Sequence, residues 1–312
     1  MYQPYIRGKQ FELIGIRELI PDVLLPNKDK ISPIIEPVKD SSTLKNTLKS
    51  LVQSDINFTF IINPQVGTFT DTVKILNILK DCIGGYLNFQ IGIIFHDKIN
   101  HQYLIDLLHK FRSNISLSLI HNTIFDDINA IIDLYNDNGF SIKYNIINLS
   151  LTSKRYFRNF EKGTCIELDD YFNNQPKNSD YAKIKNSIFS EEHLYYREEG
   201  FVGFSDYLSI GKDYSETGFL PYAVAIHLSY TDSSKKINIR HFVSDSNDDN
   251  SDIGGKFAEA LEKLIHWCNK TGYNSIAIPI FREYYCNGHF PGLGTLKKLS
   301  LMNHIDLVSK LI

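Results

Sequence analysis

No apolar run in this 312-residue chain reaches the roughly 18 residues that a membrane-spanning helix requires, so no bilayer crossing is expected. The opening Met1-Tyr2-Gln3-Pro4-Tyr5-Ile6-Arg7-Gly8-Lys9 lacks the apolar core of a signal peptide, which points to the cytoplasm. Cysteine is scarce: Cys82, Cys165, Cys268 and Cys286 lie far apart and form no CxxC pair. That spacing speaks against a zinc knuckle or a disulfide framework and for reduced, buried thiols. Net charge is small, at -3. A broad basic face for duplex nucleic acid is therefore not expected, although a local basic pocket is compatible with that balance. Also missing are the G-x-S-x-G elbow, the P-loop, the dinucleotide fingerprint and H-E-x-x-H, so no motif marks a nucleophile or a nucleotide cofactor.

What the chain does have is a repeated phrase. Short β-branched and apolar runs end in a polar residue, and an amphipathic stretch follows. The runs are Pro4 to Arg7, Ser32 to Pro37, Phe58 to Pro64, Ile91 to Asp97, Ile115 to Asn122, Lys143 to Asn148, Thr164 to Asp169 and Phe201 to Asp206. Their spacing suits βα units, and their near-continuous apolar character suits parallel strands buried on both faces. Helical stripes lie between them, such as Leu44, Leu48, Leu51 and Val52 behind Ser41 and Ser42 as N-caps. The fold class expected is α/β, a (β/α)8 TIM-like barrel with a C-terminal β-hairpin and a helical extension. An open doubly wound sheet is the alternative, because periodicity does not show closure.

Residues 171–200 show no clean strand and read as a helical insertion. A hairpin follows, Ala223 to Tyr230 answered by Ile237 to Val243, then helices over Lys256 to Asn269 and Leu296 to Leu311. With no flexible linker in view, residues 1–312 read as a single barrel domain. Residues 1–211 supply the barrel strands and helices, and 212–312 supply the hairpin and helical extension that complete it.

In such a barrel the strand C-terminal ends meet at one mouth, where active sites lie. That places Arg7, Lys9, Glu36, Asn63, His96, Asp97, His121, Asn122, Asn148, Glu167, Asp169 and Asp206 together. Glu36, His96, Glu167, Asp169 and Asp206 are the candidate catalytic groups, since carboxylates mixed with imidazole can bind a divalent metal or act as acid and base. Arg7, Lys9, Asn63, His121, Asn148, Lys212, Arg240 and His241 are the candidate ligand-binding groups, suited to a small anionic ligand. Glu167 and Asp169 form an E-x-D pair on one strand face. His96-Asp97 resembles the phrase of metal-dependent phosphodiesterases of the glycerophosphodiester type, but there the E-x-D comes first and close by, and here the order is reversed. Ser209-Ile210-Gly211-Lys212 follows the last barrel strand, where many barrels hold phosphate, and Gly292-Leu293-Gly294-Thr295 opens a helix ahead of Lys297. Both fit ordinary turns as well. The acidic loop Asp245 to Asp252 lacks EF-hand spacing and reads as a solvated loop ending in a helix cap.

The phrases Tyr5-Ile6-Arg7-Gly8-Lys9-Gln10-Phe11-Glu12-Leu13 and Ile34-Ile35-Glu36-Pro37 resemble the phage and bacterial "beta protein" family. Within that group the likeness is to a bacterial family first labelled from a myxobacterial locus. Arg240-His241-Phe242-Val243-Ser244-Asp245 and Phe290 to Thr295 extend the likeness nearly end to end. The resemblance implies cargo of mobile elements or anti-phage defence loci, beside a small nuclease-like companion, and it assigns no residue a role. Two functions are therefore expected: a sensor or partner subunit of such a system, or a metal-assisted hydrolase of a phosphate-containing or nucleotide-like substrate.

Overall fold

The computed structural model describes residues 1–153, 155–215 and 220–312. Strands and helices alternate from the start: β1 (Tyr5–Ile6), α1 (Gln10–Leu19), β2 (Ile34–Ile35), α2 (Ser42–Gln53), β3 (Phe58–Ile61) and α3 (Thr72–Ile83). The rhythm continues through β4 (Phe89–Phe95), α4 (His101–Phe111), β5 (Ser116–His121), α5 (Ile128–Asp137), β6 (Ser141–Asn148) and β7 (Cys165–Asp169). Then come α6 (Tyr181–Ile184), β8 (Asn186–Ser190), α7 (Glu192–Tyr195), β9 (Gly203–Asp206), β10 (Ala225–Thr231) and β11 (Ile237–Val243). Three helices close the order: α8 (Ile253–Thr271), α9 (Ile278–Asn287) and α10 (Leu293–Ser309). The chain divides into two compact units. Unit 1 is Met1–Asp170 with Glu192–Asp206 and Ile312, and unit 2 is Tyr171–Glu191 with Tyr207–Leu311.

Unit 1 contains an eight-stranded parallel sheet, β1 to β7 and then β9, which are the eight runs expected from the sequence. Tyr2 closes the seam through a parallel bridge to Phe204. Beside it, Gln3 N–H donates to Phe204 O at 2.9 Å. Ser205 Oγ donates to Gln3 O at 2.5 Å. The sheet is therefore a (β/α)8-type barrel with its helices outside.

Pleating sorts each strand into two faces. Phe95 on β4 touches His101 and Tyr135 from α4 and α5, so its face looks outward to the helices. The opposite face, which looks into the lumen, carries Ile34, Thr59 and Gln90 in one register and Ile61, Gly92 and Ser118 in the next. There Thr59 Oγ1 and Ser118 Oγ meet at 3.4 Å across the intervening β4. They meet because Gly92 has no side chain: a Cβ there would lie 2.9 Å from Thr59 Cγ2 and 2.8 Å from Ile61 Cγ1. Helix starts follow local chemistry, as where Ser41 Oγ accepts from Leu44 N–H at 3.1 Å at the head of α2.

Unit 2 is built on an antiparallel sheet ordered β10-β11-β8. Its hairpin is the expected one. β8 is not: residues 171–200 read without a strand, yet Asn186–Ser190 pairs with β11. A short edge strand flanked by polar residues carries almost no periodic signal. Helix α9 was likewise not expected. Lys263 Nζ of α8 donates to Val243 O at 2.6 Å and so ties that helix to β11. Asn303 Nδ2 of α10 donates to Ser229 O at 2.9 Å on β10. Asp252 caps α8 by accepting from Gly255 N–H at 2.9 Å, as the acidic loop suggested. No helix among the described residues is long and apolar enough to cross a membrane.

Candidate functional site

On the lumen face of unit 1, Glu36 stands two residues past Ile34 and is fully buried. Its Oε2 accepts from Tyr5 OH at 2.7 Å and pairs with Arg7 Nη1. Its Oε1 accepts from Gln65 N–H at 2.7 Å. Arg7 N–H in turn donates to Glu12 Oε2 at 2.7 Å. Glu12 is itself buried, and that burial raises its pKa above the usual carboxylate range despite Lys9 and Arg7 nearby. Lys9 sits at the N-cap of α1. Asn63 clips β3 to β4, donating to Ile94 O and accepting from Ile94 N–H, both at 2.8 Å. Asn148 Nδ2 donates to Asn122 Oδ1 at 3.0 Å. His96 Nδ1 accepts from Lys98 N–H at 3.3 Å, and Asp97 accepts from Thr123 Oγ1 at 2.9 Å. The mouth thus holds a buried ion pair and a set of backbone clips.

The other mouth candidates face the helices. Glu167 is in register with Ile147 and Phe204, and Phe204 stacks on Tyr2. Glu167 and Asp169 do share a face, and it is the outward one. Asp169 accepts from Ser150 Oγ, and Asp206 Oδ1 accepts from Tyr2 OH at 2.9 Å. Burial, and then the Asp206 charge, push the Tyr2 phenol well above its ordinary pKa. His121 is packed against Phe95 and Phe160, with Nε2 3.1 Å from Asn145 Oδ1 and Nδ1 3.3 Å from Tyr156 OH. Burial lowers its pKa to about 4, so it is neutral at pH 7.

Glu167 belongs to a cluster the sequence did not reveal. Carboxylate oxygens of Glu167, Glu192 and Glu199 all lie within 4.8 Å of one another. Three hard oxygen donors at that spacing suit a divalent cation of the Mg²⁺ or Ca²⁺ type. Glu192 and Glu199 come from the segment whose fold the sequence left open. Arg197 and Gly200, on either side of Glu199 in the chain, line a cleft of about 610 Å³ that also contains Arg158 and Lys162.

In unit 2, Arg240 and His241 lie in a groove of about 930 Å³ between β11 and α8. The Arg240 guanidinium sits 5.6 Å from the Phe242 ring centre and 5.7 Å from that of Trp267. Its Nη1 donates to Asn186 Oδ1 at 2.9 Å, while its buried Nε has no hydrogen-bond partner among the described residues. Two of the groove's acids are held internally. Glu259 accepts from Ser246 Oγ at 2.7 Å, and Asp245 pairs with Lys263 at 2.6 Å. Lys185 and Lys270 line the same groove and have no carboxylate partner among the described residues. Lys212 is exposed in the turn after β9.

His241 also faces its hairpin partner. Its Nδ1 lies 2.8 Å from His227 Nδ1, and its Nε2 lies 3.0 Å from Ser187 Oγ. Burial holds both imidazoles neutral, with His241 at about 4 and His227 at about 3, the latter lowered further by His241 and Lys297. Compared with known proteins, the sequence matches no family model and no curated protein.

Proposed function

We propose that the chain is a binding subunit that seats a protein partner in the groove between β11 and α8 of unit 2. The observation that carries this reading is the groove's composition: Arg240 lies over Trp267 and Phe242, with Lys185 and Lys270 on its walls. Arg and Trp are the side chains that most often dominate binding energy at interfaces. Lys185, Arg240, Lys263 and Lys270 outnumber Asp245, Glu259 and Glu262 on its walls, so the groove carries a small net positive charge. The partner segment is therefore acidic, with an aromatic or aliphatic side chain set against Trp267. The likeness of the opening motif supplies the setting: a cytoplasmic sensor or partner subunit of a bacterial defence or mobile-element system, with a nuclease-like companion as the partner.

Co-expression with the genomic neighbours followed by native mass spectrometry tests the reading. A stoichiometric complex is expected, and Trp267→Ala and Lys270→Glu should each dissociate it. Loss of the gene should also change phage sensitivity. A lone species from that co-expression, or a complex indifferent to both substitutions, overturns the reading.

The carboxylate cluster favours a second reading, a metal-assisted hydrolase of a phosphate-containing or nucleotide-like substrate. Glu167, Glu192 and Glu199 would hold the divalent metal, and Arg158, Lys162 and Arg197 in the adjoining cleft would take the phosphate. Titration with Mn²⁺ followed by paramagnetic relaxation tests it. Saturable binding lost in Glu199→Gln supports it, and the absence of saturable binding removes it.

A further inference from the structure

A second cavity in unit 2 brings together two segments that are remote in sequence. It measures about 420 Å³. Ser209 and Ile210, from the turn after β9, form one wall, and Leu293, Gly294 and Lys297, from the first turns of α10, form another. His227 of β10 also lines it. We propose that this cavity binds a phosphate-class anion, carried as a monoester on a small molecule, between the N-terminus of α10 and the Ser209 turn.

Several independent features favour that occupant. The α10 helix has 17 residues and no side-chain cap. Although Thr295 N–H donates to Gly292 O at 3.1 Å, the N–H groups of Leu293 and Gly294 and the positive end of the dipole are available to an anion. Ser209 is 0% exposed, and its Oγ has no hydrogen-bond partner among the described residues. A hydroxyl buried without a partner is destabilising, and a bound anion would relieve that. Leu208, just before it, adopts φ 58, a left-handed conformation that a leucine rarely takes and that fixes where Ser209 lies. Lys297 adds a positive charge on an exposed side chain. No carboxylate lines the cavity among the described residues, in contrast to the Arg240 groove. Beside the rim, Asp213 is engaged by Asn174 Nδ2 at 2.8 Å.

The histidine pair adapts to the same ligand. The short Nδ1···Nδ1 contact of His227 and His241 requires one proton between two neutral rings. If Ser187 Oγ–H donates to His241 Nε2, then His241 Nδ1–H donates to His227 Nδ1. His227 must then carry its proton on Nε2, as a donor. The reverse order leaves His227 Nε2 an acceptor, which an anion would repel. Anion binding therefore selects one tautomer of the whole chain from Ser187 to His227. The apolar Ile210, Pro221 and Leu296 offer contact to the part of the molecule that bears the phosphate.

Isothermal titration of the full chain with inorganic phosphate and, separately, with adenosine 5′-monophosphate tests the proposal. The expected result is saturable binding of the monophosphate in the range of about 10 µM to 1 mM, with inorganic phosphate at least about tenfold weaker. Lys297→Gln should weaken binding about tenfold or more, and Ser209→Ala a few-fold. Lys297 is exposed, so its substitution does not threaten folding. Circular dichroism would show that both variants are folded. Equal affinity for the two probes would still place the anion here, with free phosphate as its source. No heat from either probe at about 10 mM, or affinities unmoved by both substitutions, overturns the site.

Discussion

The barrel mouth of unit 1 and the cavities of unit 2 differ in how particular polar side chains are paired. At the barrel mouth of unit 1, Glu36 has a hydrogen-bonding partner on each of its oxygens and Arg7 beside it, and Asn63 binds both backbone groups of Ile94. In unit 2, Arg240 Nε and Ser209 Oγ are buried without hydrogen-bond partners among the described residues, and both residues line cavities. A (β/α)8 barrel usually carries its chemistry at the mouth. On the reading proposed above, the mouth residues hold the barrel together and the smaller unit carries the binding surface.

The sharpest way to break this contrast is Arg7→Met. It strands the buried Glu36 carboxylate and should cost about 3–5 kcal/mol, read as a lower urea midpoint by far-UV circular dichroism. Adding Glu36→Gln should restore most of the loss. A cost below about 1 kcal/mol would mean the mouth residues do not hold the barrel together.

Next comes acid. The folded pKa of His121, about 4, lies below its ordinary 6.5, so the unfolded chain takes up the proton first as pH falls. Its contribution to stability is complete above pH 6.5, declines between 6.5 and about 4, and levels off below. The total is on the order of 3 kcal/mol, and His121→Phe should remove that part of the pH dependence. His227 and His241 act in the same direction in unit 2, where Trp267, the chain's single tryptophan, reports separately by fluorescence.

Gly92→Ala should cost about 1–3 kcal/mol, because the new methyl meets Ile61 and Thr59 inside the lumen. The smallest effect on stability belongs to the groove. Lys270→Glu should change the unfolding free energy from urea titration by no more than about 0.5 kcal/mol while abolishing partner capture. If Lys270→Glu instead unfolds the chain, the division between a structural unit and a working one fails.

The barrel was legible because each parallel strand is covered on both faces and so reads as an apolar run with a polar end. That same double coverage hides which face is which. Glu167 and Asp169 share a face by simple alternation, but apolar neighbours flank them on either side, and only the pairing with Phe204 turns them outward. His121 looked like a mouth residue and is buried among Phe95, Tyr156 and Phe160. Strand β8 escaped notice because Asn186-Ser187-Ile188-Phe189-Ser190 has too few residues to show a period. The anion cavity was half visible. The Ser209 and Gly292 turns each stood out, but they lie far apart in the chain, and only the fold of unit 2 brings them to one cavity.

The order of strands along the chain sets the order in which the protein can be completed. The chain leaves unit 1 after Asp170, makes β8, and returns at Glu192 before β9 meets Tyr2. On the ribosome, β8 therefore emerges before the barrel can close, yet its partner β11 is not synthesised until after β9. In the interval it is an unpaired strand with Ile188 exposed, a template for pairing with another nascent chain. A fragment ending at Asp206 would keep every strand of the barrel and still carry that loose edge. Only the later β11 supplies the partner that covers that edge, and neither unit can be excised by a single cut.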